Sequence, residues 1–295
     1  MADYFITTEA TADFPESLYT DGFAVIPMSY TVKGEFYDGA EKKLSPKEFY
    51  DACRSAKTAE DLPSTAMVTA YHAEEFFRPI LRAGHDVIHI GFASALSGTL
   101  EQLKMAEKTL SEEFPDRRIT VIDSRSACFI EGLAAYCALL RRAEGADYDA
   151  CVGYINNILP HCCGFFTIDD IRHLQRTGRV SKAEAFIGGT LKIKPILTVD
   201  DDGRLIPFAK VISRKKAVKF LMEMMEKKML PASEQKLVAI GHADAPEEAA
   251  ALEEEVKKTF GVEKTIVFDV GSVIGTHVGA GMLALIFLGT DRSVH

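Results

Sequence analysis

The most constraining feature of this chain is a strand that runs into a helix through small residues, Asp86-Val-Ile-His-Ile-Gly-Phe-Ala-Ser-Ala-Leu-Ser-Gly-Thr-Leu-Glu-Gln-Leu103. Val87, Ile88 and Ile90 read as a short buried strand, and Leu100, Leu103 and Met105 as apolar positions of a following helix. Ser97-Gly98-Thr99 stands at the hinge. There the first helical N–H groups lack intrahelical partners and the macrodipole favours an anion. A carboxylate or phosphate fits such a place; an ordinary N-cap made by Ser97 is the alternative.

The same alternation recurs along the chain. Residues 4–8 read as a first strand with a polar loop over 7–13, residues 14–18 as a helix start, and residues 23–32 as one strand. Ser45 heads a capping box with Pro46 at the first helical position and Glu48 two residues on. A hydroxyl-rich loop over 62–69 precedes a helix over 71–83 that stops at Gly84. A strand over 118–124 and a helix over 131–143 follow. Strand, loop and helix in rotation imply an α/β fold with a mostly parallel N-terminal sheet flanked by helices. Ligands of such sheets sit at the carboxyl ends of strands. Thr8, Ser97 and Ser124 fall at those ends, with Ser64 and Thr65 on another loop.

A polar stretch over 143–149 containing Gly145 predicts a boundary, giving an N-terminal α/β domain over 1–148 and a C-terminal one over 149–295. The second holds a helix over 151–159, a strand over 163–168 and a helix over 169–179 ending at Gly178. Strands over 191–199 and 205–212 flank Asp200-Asp-Asp-Gly203, a hairpin signal. A helix over 215–228, a strand over 237–241, a helix over 246–260 and a strand over 265–268 lead to a glycine-rich tail over 272–281. A last strand follows over 282–288.

A net charge of −9 over 295 residues argues against a nucleic-acid backbone as the main partner. No stretch approaches the ~20 apolar residues of a membrane span, and residues 1–5 do not open a signal peptide. The expectation is a cytoplasmic protein. The six cysteines, at 53, 128, 137, 151, 162 and 163, show no metal-binding spacing and read as reduced, mostly buried thiols. No nucleophile elbow, Walker sequence or H-E-x-x-H is present.

His277 stands among Gly275, Gly279 and Gly281, which permit close backbone approach to a ligand; a turn with a solvent-facing imidazole is the alternative. The histidines at 72, 85, 89, 161, 242 and 295 read as structural or solvated. Arg172, Arg176, Arg179 and Lys182 form one basic group, and Lys210, Arg214, Lys215 and Lys216 another. They suit an acidic partner or a phosphate, or simply helix C-terminal charge set against the dipole.

Seven motifs occur in order along almost the whole chain. They are Pro63-Ser-Thr65, Leu96-Ser-Gly-Thr99, Val121-Ile-Asp-Ser124, Thr177-Gly-Arg179, Leu191-Lys-Ile-Lys-Pro195, Asp202-Gly203 with Arg214-Lys-Lys216, and Gly275-Thr-His-Val-Gly279. In this ordered set the sequence resembles the DegV family of bacterial fatty-acid-binding proteins. The resemblance implies two α/β domains with a long-chain fatty acid in the cleft between them. Thr65, Ser97 and His277 would then meet the carboxylate, with no metal and no cofactor beyond the bound acid.

Family members are similar to the acyl-carrier subunit of a bacterial fatty acid kinase, a lipid-binding protein without chemistry of its own. Such a carrier presents the acid to a separate ATP-dependent kinase subunit, and Arg179, Lys210 and Arg214 would resemble the docking surface. The first loop, Thr7-Thr-Glu-Ala-Thr11, departs from the family's aspartate flanked by serines, so the resemblance assigns it no role. Two other readings are an enzyme acting on a small acyl or phosphorylated substrate at the same Ser/Thr/His site, and a regulatory partner using the basic face.

Overall fold

β1 (Tyr4–Glu9) is buried along nearly its whole length. The computed structural model to which it belongs describes residues 3–56, 58, 60–180 and 192–293; Lys182, Leu191 and His295 lie outside them. The single strand expected over 23–32 is two strands in different sheets. β2 (Phe23–Ile26) pairs in parallel with β1, whereas β3 (Tyr30–Val32) pairs antiparallel with β4 (Glu35–Tyr37). Pro27 stands at the break and has no N–H to give a ladder. The helix expected over 14–18 is only a 3₁₀ turn, Glu16–Leu18.

α1 (Pro46–Arg54) carries the expected capping box: Ser45 Oγ accepts from the Glu48 N–H at 3.3 Å, and Glu48 Oε2 accepts from the Ser45 N–H at 2.9 Å. The hydroxyl-rich loop contributes β5 (Ser64–Thr65), which pairs with β3. α2 (Ala70–Arg82), β6 (Asp86–Gly91), α3 (Thr99–Glu113) and β7 (Ile119–Asp123) follow close to their expected limits. Among the described residues four strands form a parallel sheet in the order β2-β1-β6-β7. β6 is buried at every position, as a central parallel strand covered on both faces must be.

α4 (Phe129–Ala143) is buried continuously from Phe129 to Ala135 and again from Cys137 to Leu139. A helix that is apolar on every side needs cover on every side. α4 finds it by packing against β1 and β6 on one side and against β8 (Cys162–Thr167) and a later strand of the second sheet on the other. α5 (Tyr148–Ile158) lies on α4 and β6.

After β8 come α6 (Arg172–Arg176), β9 (Ile193–Val199), β10 (Leu205–Ile212), α7 (Arg214–Lys228), β11 (Val238–His242), α8 (Pro246–Phe260) and β12 (Thr265–Asp269). α9 (Ser272–Val278) and β13 (Leu283–Leu288) complete the fold. The second sheet runs β10-β9-β8-β13-β11-β12, with β11 and β12 parallel and the other neighbours antiparallel. α7 and α8 cover its far face. The helix expected over 169–179 contracts to the five residues of α6, and the glycine-rich tail, for which the sequence predicts no regular element, holds α9.

The tail's glycines are where neighbours come close. A Cβ on Gly275 would lie 2.6 Å from the Tyr50 hydroxyl and 2.9 Å from Phe49, both on α1. Gly279, at φ +73°, has the His173 ring of α6 against it. Between these contacts α9 has little freedom. Its N-cap, Gly271, donates its N–H to Asp13 Oδ1 at 2.9 Å. Asp13 Oδ2 is buried without a partner, and burial pushes the Asp13 pKa up to about 7.

Two predictions follow from this seating of α9. Gly275→Ala should lower the denaturation midpoint by an amount equivalent to about 1–3 kcal/mol, because α1 or α9 must shift to admit the methyl group. Asp13→Asn should flatten the pH dependence of stability. The native carboxyl keeps its proton up to about 7 while the unfolded one releases it near 3.8. The native state therefore binds more protons in that window, and stability falls as pH rises through it, by up to roughly 4 kcal/mol. Urea denaturation of both proteins at the two ends of the window measures the difference; parallel curves would show that Asp13 does not titrate there.

Candidate functional site

In the order β2-β1-β6-β7 the chain leaves β1 to one side for β2 and to the other for β6. That reversal opens a crevice beyond the carboxyl ends of β1 and β6, where open α/β sheets bind ligands. A cavity of about 430 Å³ lies there, within the ~300–1,000 Å³ common for small-molecule sites. Thr11 follows β1 into its wall; Phe92, Leu96, Ser97 and Gly98 follow β6; Ala127, Cys128 and Ile130 come from the start of α4. The second sheet supplies Gly164, Phe166, Ala284 and Ile286, and α9 supplies Val273, Ile274, His277 and Val278. Thr65, Ala66 and Met67 close another side, and Arg179 enters from just beyond α6. The walls are mainly apolar.

The polar groups gather at one end. Thr65 Oγ1 and His277 Nε2 are 3.1 Å apart, joining residues 212 positions apart in the chain. Burial pushes the His277 pKa down to about 4, and the Arg179 and Arg176 guanidiniums push in the same direction. The imidazole is therefore neutral near pH 7, and its Nδ1 is buried without a partner. The half-buried Arg179 also has its pKa lowered by burial, and it donates to the Thr177 carbonyl. Ser97 Oγ accepts from the Thr99 N–H at 3.2 Å and donates to Thr99 Oγ1 at 3.0 Å. This local bond fastens Ser97 to the start of α3, whose backbone N-cap is Gly98. Ala66, Met67 and Gly98 are exposed, so the polar end is also the open one.

Thr65, Ser97 and His277, far apart in sequence, thus share one wall system, and Arg179 shares it with them. Lys210 and Arg214 do not line the cavity. Lys210 is exposed on the edge strand β10, and Arg214 bonds Glu248 of α8 at 2.7 Å.

The sequence reading missed a buried polar layer beneath the cavity. Thr8 Oγ1 lies 2.6 Å from Glu131 Oε1 and 2.9 Å from the Ile90 carbonyl. One hydroxyl proton cannot serve both acceptors. Burial, with Glu9 opposite, raises the Glu131 pKa well above the usual carboxyl range. A protonated Glu131 donating to Thr8, which donates to Ile90, satisfies the group. Thr11 also bonds Glu131 and reaches the cavity wall, so the first loop adjoins the site after all. The available signal was an acid in the first turn of an otherwise apolar helix.

Thr65 beside His277 has the spacing of a nucleophile and its base, but a working pair also needs a third group to orient the imidazole. His277 Nδ1 has none, and an imidazole of pKa about 4 is a weak base. The arrangement is suited to holding an anionic head group above an apolar chamber. Among the described residues no three His, Cys, Asp or Glu side chains come together to hold a metal, and no helix is long and apolar enough to cross a membrane. The six cysteines are free thiols.

The comparisons with known proteins agree with one another. The family model for DegV, described as "Uncharacterised protein, DegV family", matches residues 4–290. A DegV domain-containing protein of Clostridium perfringens is 34% identical over 294 residues, covering 99% of each chain. The crystal structure of DegV from Bacillus subtilis, described as a fatty acid binding protein, superposes with a TM-score of 0.83 at 28% identity, over 98% of this chain and 100% of that one. A fatty acid binding DegV family protein from Streptococcus agalactiae gives 0.84 at 26% identity, over 99% and 100%. With sequence and fold matched over nearly its full length, this chain belongs to the DegV family.

Proposed function

We propose that this protein is a cytoplasmic carrier of a long-chain fatty acid, held between the two sheets with its carboxylate among Thr65, Ser97, His277 and Arg179. The observation that carries the reading is a mainly apolar cavity whose lining includes those four polar side chains, with Thr65 against His277 beside the exposed Ala66 and Met67. The two solved relatives described as fatty acid binding support it. The energetics divide the labour. About fifteen buried methylenes contribute roughly 12 kcal/mol at ~0.8 kcal/mol each. A hydrogen bond to a charged group adds only about 1.5–3 kcal/mol. The tail supplies affinity, and the head group fixes direction.

The carboxylate at the open end is placed for presentation to a separate ATP-dependent kinase subunit, which would form the acyl phosphate. Arg179 at the cavity wall, Lys210 on its edge strand and Arg214 at the start of α7 are the basic groups we assign to that encounter. Chemistry in this reading belongs to the partner, not to this chain.

Extraction of the purified protein and mass analysis of its lipid tests the carrier reading. A stoichiometric long-chain acid is expected; an empty protein that also refuses added acid would put an enzyme at the same Ser/Thr/His site ahead. Ser97→Ala should weaken retention about tenfold through loss of one hydroxyl donor, in a protein that still folds but melts slightly lower because the Thr99 N–H loses its acceptor. Arg179→Ala should weaken retention as well, since it removes a cation from the carboxylate end. Lys210→Glu should leave retention intact and slow phosphorylation of the bound acid by a kinase subunit. Equal rates would remove Lys210 from the encounter.

A further inference from the structure

The far end of the cavity is built differently from its mouth. Met282, Ala284 and Ile286 occupy alternate positions and face one side of the second sheet. At ~3.3 Å per residue they mark out about 13 Å, leading away from α9 and its His277. On the neighbouring strand Phe166 pairs with Ala284 and Gly164 with Ile286. The next pair on this face, Leu288 with Cys162, is buried and lies outside the cavity. The chamber therefore ends at the level of Gly164 and Ile286.

Ile130, from the first turn of α4, stands at that level. A Cβ on Gly164 would overlap Ile130 Cδ1 and Cγ1 and would lie 3.4 Å from Ile286 Cγ1. The side chain thus rests on the bare Cα of Gly164, in the gap where any other residue would put a methyl group. Ile130 is buried in the core around it, with the cavity as the open space alongside.

We propose that Ile130, seated on Gly164, is the stop against which the end of the acyl chain rests, and so sets the longest acid the protein accepts. This rests on the carrier reading and adds to it the residue that measures the tail. Ile130 is specificity-determining here through shape alone, since the groove offers the tail end no polar contact. Removing side-chain carbons from Ile130 lengthens the chamber. A methyl group on Gly164 pushes Ile130 into it and shortens it.

The test is affinity of the delipidated full-length protein for a graded series of saturated straight-chain acids from lauric to arachidic. Affinity should rise about fourfold per added carbon until the chamber is full and then break. Ile130→Ala should move the break to acids about three carbons longer, matching the carbons removed, and Gly164→Ala should move it to shorter acids. If Ile130→Ala does not fold, Ile130→Val should still move the break by about one carbon. A merely structural role for Ile130 would weaken all acids alike and leave the break in place, which would overturn the assignment. A wild-type protein that takes none of the acids would overturn the carrier reading itself, and this assignment with it. A wild-type break that no folded variant moves would overturn Ile130 alone.

Discussion

The structure depends on the burial of α4 between two sheets. Its residues from Phe129 to Leu139 are almost all buried, so no single sheet could satisfy it. β1 and β6 cover one side and β8 and β13 the other. Because both sheets need the same helix, their facing surfaces are held at a fixed separation. The cavity lies at the N-terminal end of that helix, where Ala127, Cys128 and Ile130 meet the loops that follow β1 and β6. The cavity is thus a consequence of how the core is shared, not a hollow added to a finished fold.

α9 plays the complementary part at the mouth. It is only seven residues long and holds its place through neighbours: Tyr50 and Phe49 against Gly275, His173 against Gly279, and Asp13 on the Gly271 N–H. These contacts bring His277 against Thr65 from the opposite end of the chain. They also bury the imidazole beside two guanidiniums, and a neutral histidine there leaves the positive charge to the arginines. The resulting end of the cavity has hydroxyls and positive charge without an oriented base. Hydroxyls and positive charge there complement an anionic group.

Beneath the cavity, burial raises the pKa of the Glu131 carboxyl well above its usual range. Thr11 bonds that carboxyl and also lines the cavity. The first loop, which aligns with no role in the family pattern, therefore contributes through Thr11 and through the bonds it makes to Glu131.

The sequence by itself determined most of the elements and singled out three of the polar residues that line the cavity. The capping box at Ser45, the hairpin at Gly203 and the strand-to-helix hinge at Ser97 are written in local chemistry: caps, turns and apolar periodicity act over a few residues and survive in any context. Ser97 and His277 stood out for the same reason, as a hydroxyl at a helix start and a glycine-flanked imidazole, and the family resemblance set Thr65 beside them. Only the tertiary structure decided that residues 23–32 split between two sheets, that the glycine-rich tail is a helix, and that Arg179 turns to the cavity while Arg214 turns to Glu248. It alone also decided which of the many apolar residues line the chamber. A phenylalanine, methionine or isoleucine carries the same local signal whether it packs against protein or leaves space for a ligand, and only the positions of the opposing elements distinguish the two.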